Sequence, residues 1–212
     1  MYNLHQDKLL IASHNEGKIS EFRELLGLLK IDILSSKELK LPEPVEDGQT
    51  FEENALIKAK SASDLSNLIS LSDDSGIEID ALDKQPGIYS ARWAGPNRDF
   101  DFAMREVTRL LDEKKIPIAE RTARFVCALC LFYPNGEYHF FVGKVEGRVV
   151  WPPRGKYGFG YDAIFEPLNM NKTFGEITSG EKHSWTPKKI GLSHRAKAFA
   201  KFVSYLSQKK SE

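Results

Sequence analysis

The stretch Leu68-Ile69-Ser70-Leu71-Ser72-Asp73-Asp74-Ser75-Gly76 constrains this chain more than any other. An apolar run meets two adjacent carboxylates, a hydroxyl and a glycine. Leu68 to Leu71 is too short for a helix and reads as a buried strand. Sheets of α/β proteins keep their ligand sites at strand ends. Adjacent carboxylates repel and hold both charges only in water or against a cation. Magnesium suits such a place, because it takes one or two carboxylates plus substrate phosphates. Asp-Asp-Ser-Gly is equally good turn composition. From these residues alone, turn and metal site stand level.

The totals exclude more than they assign. At 212 residues the chain is long enough for a large core and is read as one domain, 1–212. Its 30 basic and 30 acidic residues balance, so no global field draws it to nucleic acid or an anionic membrane. Any anion site must come from local lysines. No apolar run approaches a membrane span, and residues 1–8 lack the apolar core of a secretory signal. With only two cysteines, the expected compartment is a reducing cytoplasm.

Upstream, Lys8 to Ala12 reads as a strand, and Ser13-His14-Asn15-Glu16-Gly17-Lys18 follows as a polar loop. Ile19, Phe22, Leu25, Leu26 and Leu29 then recur at helical spacing. Strand, glycine-bearing loop and helix N-terminus together hold anions well, through free N–H groups and the helix dipole. Lys18 adds a full charge there. The loop is neither a P-loop nor a dinucleotide fingerprint, since it has a single glycine. A plain strand–helix connection remains an equal alternative. Residues 31–34 suggest a second strand. Thr50-Phe51-Glu52-Glu53 has capping-box form, with Glu53 reaching back to Thr50. In the helix it starts, Asn54 and Lys58 share a face. Glu46 lies in the proline-punctuated acidic loop before it.

After Gly76, residues 77–82 alternate like a separate half-buried strand. Pro86 to Gly95 is a loop mixing aromatics with an arginine, and Phe100 to Leu111 is an amphipathic helix. A hairpin is expected over 122–145, with a further short strand at 148–151. Cys127 and Cys130 lie three apart within that hairpin, point to opposite faces, and read as core. Gly155 to Asp162 is glycine-rich, and Phe159 there suits a stacking platform for a base. The alternative is a hairpin whose aromatics fold into the core. Ser193 caps a last helix with apolar residues Ala196, Phe199, Ala200, Val203 and Leu206. His194 and Arg195 sit in its first turn, where the dipole disfavours cations, so a partner is implied. A neutral His and a forked Arg read a base edge well.

Taken together, the blocks Ser13–Lys18, Thr50–Ala55, Asp73–Gly76, Pro86–Arg92, Phe159–Asp162 and Ser193–Arg195, in this order, resemble the inosine triphosphate pyrophosphatase family, which acts on dITP, ITP and XTP. The resemblance spans nearly the whole chain. It implies a two-lobed α/β fold around a long bent mixed β-sheet flanked by helices, and a homodimer. It also implies magnesium-dependent hydrolysis of the α–β phosphate bond to a monophosphate and pyrophosphate. By motif, Asp74 is the implied general base and a magnesium ligand, with Glu46 as further acidic partner. Ser13, His14, Asn15, Glu16, Gly17 and Lys18 are implied to hold the triphosphate, assisted by Lys58, with Ser75 touching substrate. Phe159, Gly160, Tyr161 and Asp162 are implied to hold the base, and His194 and Arg195 to read its edge. The family's base-site lysine falls on Lys189 by spacing. Lys182, in Gly180-Glu181-Lys182, has the usual Glu-Lys context but would require an insertion over 184–188. Two other functions remain open: a Maf-like pyrimidine nucleotide pyrophosphatase, and a non-catalytic nucleotide-binding protein.

Overall fold

The computed structural model describes residues 8–27, 31–186 and 189–209, with the side chains of 185, 186, 189 and 209 outside that description. Expectations for Leu29 and for residues 1–7 therefore lie outside the described residues. The chain divides into two compact units. One comprises residues 1–74, 127–142 and 198–212, and the other 75–126 and 143–197.

In the first unit, β1 (Leu9–Ile11) is buried and pairs in parallel with β2 (Ile33–Ser35) and with the start of β3 (Ile69–Ile79). The register runs Leu9 opposite Ile69 to Ile11 opposite Leu71. The β1–β3 ladder therefore stops at Leu71, and Asp73 and Asp74 lie just past the carboxyl end of β1, where parallel sheets hold ligands. Helix α1 (Glu16–Gly27) starts three residues earlier than its apolar spacing indicates. Asn15 caps it, accepting the Lys18 N–H on Oδ1 at 3.2 Å and the Ile19 N–H on its carbonyl at 3.0 Å.

Helix α2 (Phe51–Ser66) begins where its cap residues dictate. Thr50 Oγ1 accepts the Glu53 N–H at 3.1 Å, but the Glu53 carboxylate takes the Gln49 N–H, at 2.6 Å, instead of that of Thr50. Its alanines let it approach β3 closely. Ser70 and Ser72, two apart and so on one face of the strand, donate to the Ala59 and Ala55 carbonyls at 2.6 and 2.5 Å. The helix stops at Asn67, in the left-handed region at φ 56°.

The expected break after Leu71 does not occur. β3 runs unbroken through Asp73-Asp74-Ser75-Gly76 to Ile79, and a lysine from a neighbouring helix pairs with each carboxylate, a non-local fact invisible to turn statistics. In the second unit, Gly76 packs so tightly that an added Cβ would stand 2.4 Å from the Gly87 carbonyl and from Ser90 Oγ. Ser90 begins the short helix α3 (Ser90–Trp93), and its Oγ accepts the Ile77 N–H at 3.0 Å. Helix α4 (Phe100–Glu113), capped by Asp99, buries Ala103, Met104, Val107 and Leu111. These residues join Phe125, Tyr161, Phe165 and Phe174 in one core.

Strands β4 (Thr122–Phe132) and β5 (Tyr138–Val149) form the expected hairpin, and β5 absorbs most of the short strand expected at 148–151. Cys127 and Cys130 are buried thiols, and burial pushes the Cys130 pKa up to about 12. β6 (Phe165–Pro167) pairs antiparallel with β5, completing a six-stranded mixed sheet of order β2-β1-β3-β4-β5-β6 flanked by helices. Helix α5 (Ser179–His183) precedes a small hairpin of β7 (Trp185–Thr186) and β8 (Lys189–Ile190). Ser193 then caps α6 (His194–Lys209), its Oγ accepting the Ala196 N–H at 3.0 Å. Ala198 and Phe202, absent from the expected apolar face, are buried beside Phe199.

Candidate active site

The expected site residues gather in two polar clusters, one in each unit. In the first, α1 and α2 send a lysine each to the paired carboxylates of β3. Lys18 Nζ lies 2.9 Å from Asp73 Oδ1. Lys58 Nζ lies 3.2 Å from Asp74 Oδ1 and 3.3 Å from Glu46 Oε1. Asp73 and Asp74 are both buried. Burial raises the Asp74 pKa above the ordinary carboxylate range, and the negative charges of Glu46 and Asp73 add to it, against the opposing pull of Lys58 and Lys18. Burial alone would lower the Lys58 pKa, but Asp74, Asp73 and Glu46 together outweigh it and hold the ammonium protonated. Asp74 Oδ2 is buried with no hydrogen-bond partner. A buried acceptor left open costs about 1–3 kcal/mol, so it points to a bound group or a reacting proton.

The loop residues divide by role. Ser13 Oγ accepts the Asn15 N–H at 3.1 Å, which shapes the turn into α1. His14 Nε2 donates to the Leu41 carbonyl at 2.7 Å, and Nδ1 lies 3.2 Å from Glu43. Glu16 pairs with Lys37 at the surface, and Gly17 is exposed. Of the expected triphosphate loop, Lys18 touches the carboxylate cluster directly.

In the second unit, Lys182 of α5 is 2% exposed, with Nζ 2.7 Å from Asp162 Oδ2. The same Asp162 oxygen accepts the Phe159 N–H at 3.1 Å, so the pair fixes the loop that carries Phe159, itself 55% exposed. Gly158, at φ 79°, crosses directly over the pair, and a Cβ there would sit 2.0 Å from Asp162 Oδ2 and 2.4 Å from Lys182 Nζ. Gly158→Ala is therefore expected to destabilise the protein by about 1–3 kcal/mol, read by denaturant unfolding. A Cβ at Gly160, also at positive φ, would reach the Phe100 ring at an ordinary 3.8 Å. Tyr161 is committed to the core: its hydroxyl donates to the Ser90 carbonyl at 2.9 Å and its ring meets Phe100 edge-on. Arg195 is buried and donates to Ser75 Oγ at 3.2 Å, and His194 stacks on Phe125 with centroids 4.9 Å apart.

Lys189 is placed as part of β8, with its side chain outside the described residues. The intervening hairpin returns the chain to its start, since the Ser193 N–H donates to the Lys182 carbonyl at 2.9 Å.

A profile of the Ham1 family matches residues 9–205. The chain belongs to the Ham1 family. A dITP/XTP pyrophosphatase of Brucella melitensis is 51% identical over 208 residues, covering 96% of this chain and 94% of the relative. One from Rhodopseudomonas palustris is 52% identical over 197 residues, covering 92% and 94%. Among solved structures, a HAM1 protein from Coxiella burnetii aligns with a TM-score of 0.85 at 34% identity, over 95% of this chain and 98% of that one. A nucleoside-triphosphatase, dITP/XTP pyrophosphatase, from Mycobacterium abscessus gives 0.74 at 36% identity, over 92% and 98%. The family membership and mixed sheet expected from the sequence blocks both hold.

For this Ham1-family chain, the blocks alone undervalued three positions. Asp73 is the direct partner of Lys18, Lys182 is the buried partner of Asp162, and Asn54 is wholly buried beside the acidic loop. For Lys182 the Glu-Lys context was the available signal. For Asn54 it was the shared helix face with Lys58.

Proposed function

We propose that the protein hydrolyses dITP, ITP and XTP to the monophosphate and pyrophosphate, as a magnesium-dependent, homodimeric cytoplasmic enzyme whose residues 1–212 act as one catalytic domain. The observation carrying this reading is the buried Asp74 carboxylate, raised in pKa and open at Oδ2, beside two lysines. The names of the relatives supply the substrate class.

In this reading Asp74 Oδ2 takes the proton from water as the water oxygen attacks a phosphorus of the α–β anhydride and the bridging P–O bond breaks, giving the monophosphate and pyrophosphate. A raised pKa suits a base working near neutral pH. Lys18 and Lys58 offset the charge gathering on departing pyrophosphate. Of the Ser13–Lys18 loop, His14, Glu16 and Gly17 would turn backbone N–H groups at the start of α1 to the phosphates, since those of Ser13, Asn15 and Lys18 are donated within the loop and to Ile11.

The residues fit magnesium. Among the described residues no three His, Cys, Asp or Glu side chains gather as a cage, and magnesium needs none, since substrate phosphates and water complete its shell. Asp74, through Oδ1, and Glu46, the two carboxylates that Lys58 meets, would hold it. Bound magnesium supplies Lewis acidity, easing charge repulsion among phosphates and loss of a proton from water.

Base recognition falls to Phe159 for stacking, Ser75 and Gly160 to Asp162 for the pocket wall, and His194, Arg195 and a lysine for the edge. In this reading the lysine is Lys182 in place of Lys189; its burial against Asp162 and the Ser193 N–H on its carbonyl support the choice. Lysine and arginine only donate, so a 6-keto oxygen is accepted and the 6-amino group of adenine is rejected. Refusal of guanine falls on its 2-amino group.

With magnesium, purified protein should release pyrophosphate from dITP, ITP or XTP far faster than from ATP. Equal rates on the standard nucleotides would refute the specificity, and binding of ITP without release would make the protein a sensor.

A further inference from the structure

We propose that Asn54 is a positioning residue that latches the Glu46-Asp47-Gly48 turn onto the start of α2 and thereby fixes Glu46 beside Lys58. Asn54 is fully buried, and its Oδ1 accepts the Gly48 N–H at 2.9 Å. The contact is close on both sides: a Cβ at Gly48 would meet Glu53 Cβ at 2.7 Å and Asn54 Oδ1 at 2.8 Å. The next N–H, of Gln49, goes to the Glu53 carboxylate. The rest of the acidic loop has little apolar anchorage, with Pro42, Glu43 and Val45 all exposed, so these few hydrogen bonds determine where Glu46 sits.

The amide is poorly chosen for packing alone. Its Nδ2 is buried with no hydrogen-bond partner, which an apolar residue of similar size would avoid. The oxygen is the useful half. One turn along the same helix face, Lys58 meets Glu46 and Asp74. A single turn of α2 thus carries both the latch and the cation it serves.

The kinetic part of this inference rests on the pyrophosphatase reading, whereas the latch itself does not. Asn54→Ala should lower kcat for ITP roughly 10–100-fold, as loss of a residue supporting a ligand does, with KM essentially unchanged. The Gly48 amide should exchange faster with deuterium while circular dichroism stays as in the wild type. Gly48→Ala, which pries at the same contact from an outlying turn, should reproduce the loss even where Asn54→Ala folds poorly. The double variant should be no worse than the weaker single. Wild-type kcat in both single variants, or single losses that multiply in the double, would overturn the proposal. Unchanged Gly48 exchange in Asn54→Ala would overturn the latch whatever the kinetics. A wild-type protein that releases no pyrophosphate refutes the functional reading instead, and Gly48 exchange still decides the latch.

Discussion

Asp74→Asn is expected to lower kcat for ITP by roughly 10²–10⁴-fold, the usual contribution of a positioned general base, and to leave the fold intact. The amide keeps the shape of the carboxyl and offers Lys58 an oxygen at the position now 3.2 Å from Nζ, but it takes no proton. The stability effect should run the other way. Burial raises the Asp74 pKa in the folded state above its unfolded value. A group shifted in that direction contributes stability while it is protonated, below the unfolded pKa, and loses that contribution as pH rises through the folded pKa. The ionised carboxylate, the form that works as a base, is therefore one the fold disfavours, and the neutral variant does not carry it. Calorimetry should give Asp74→Asn a Tm equal to or above the wild type at pH 7.5, with the advantage fading toward pH 4. The same shift places the acid limb of the wild-type kcat/KM profile above about 4, the ordinary Asp range. Near-normal turnover in the variant would remove Asp74 from the mechanism, and a large drop in Tm at pH 7.5 would contradict the sign of the shift. The site favours activity at the expense of stability, a common arrangement at catalytic carboxylates.

Local chemistry made much of this fold legible. Thr50 and Ser193 cap the helices that follow them, and the apolar spacing of Phe100 to Leu111 marks the buried face of α4. Where the sequence misleads, the deciding contact is distant along the chain. Asp73-Asp74-Ser75-Gly76 has turn composition, yet β3 passes through it, and Lys18 and Lys58 arrive from two other elements to pair with the two carboxylates. Tyr161 sits among loop glycines, and no local pattern shows that its hydroxyl donates to the Ser90 carbonyl, seventy-one positions away in sequence. Spacing before His194 points to Lys189, and counting residues does not show that β7 and β8 loop out and bring Ser193 back to Lys182, which makes Lys182 the competing candidate.

Lys182 provides the sharpest test of base recognition. Lys182→Met should cost about 3–5 kcal/mol of stability, because it leaves Asp162 charged and buried without its counter-ion. The Phe159 N–H, at 3.1 Å, would still donate to Asp162 Oδ2 but carries no full charge to replace the ammonium. A loss of activity in that single variant would then mix two causes. Lys182→Met combined with Asp162→Asn separates them, since a neutral pair of similar volume restores much of the stability but offers no cation to a 6-keto oxygen. The double variant should fold, retain the exposed Phe159 platform, and still lose roughly 10²-fold or more in kcat/KM for ITP, because a recognition site short of its donor forfeits most of its discrimination. Its rate on ATP should fall much less, so the ITP:ATP ratio collapses. Lys189→Ala should change that ratio far less. Full ITP activity in the stabilised double variant, or a collapse caused by Lys189→Ala alone, would move the base-reading role away from Lys182 and return it to the lysine that spacing first indicated.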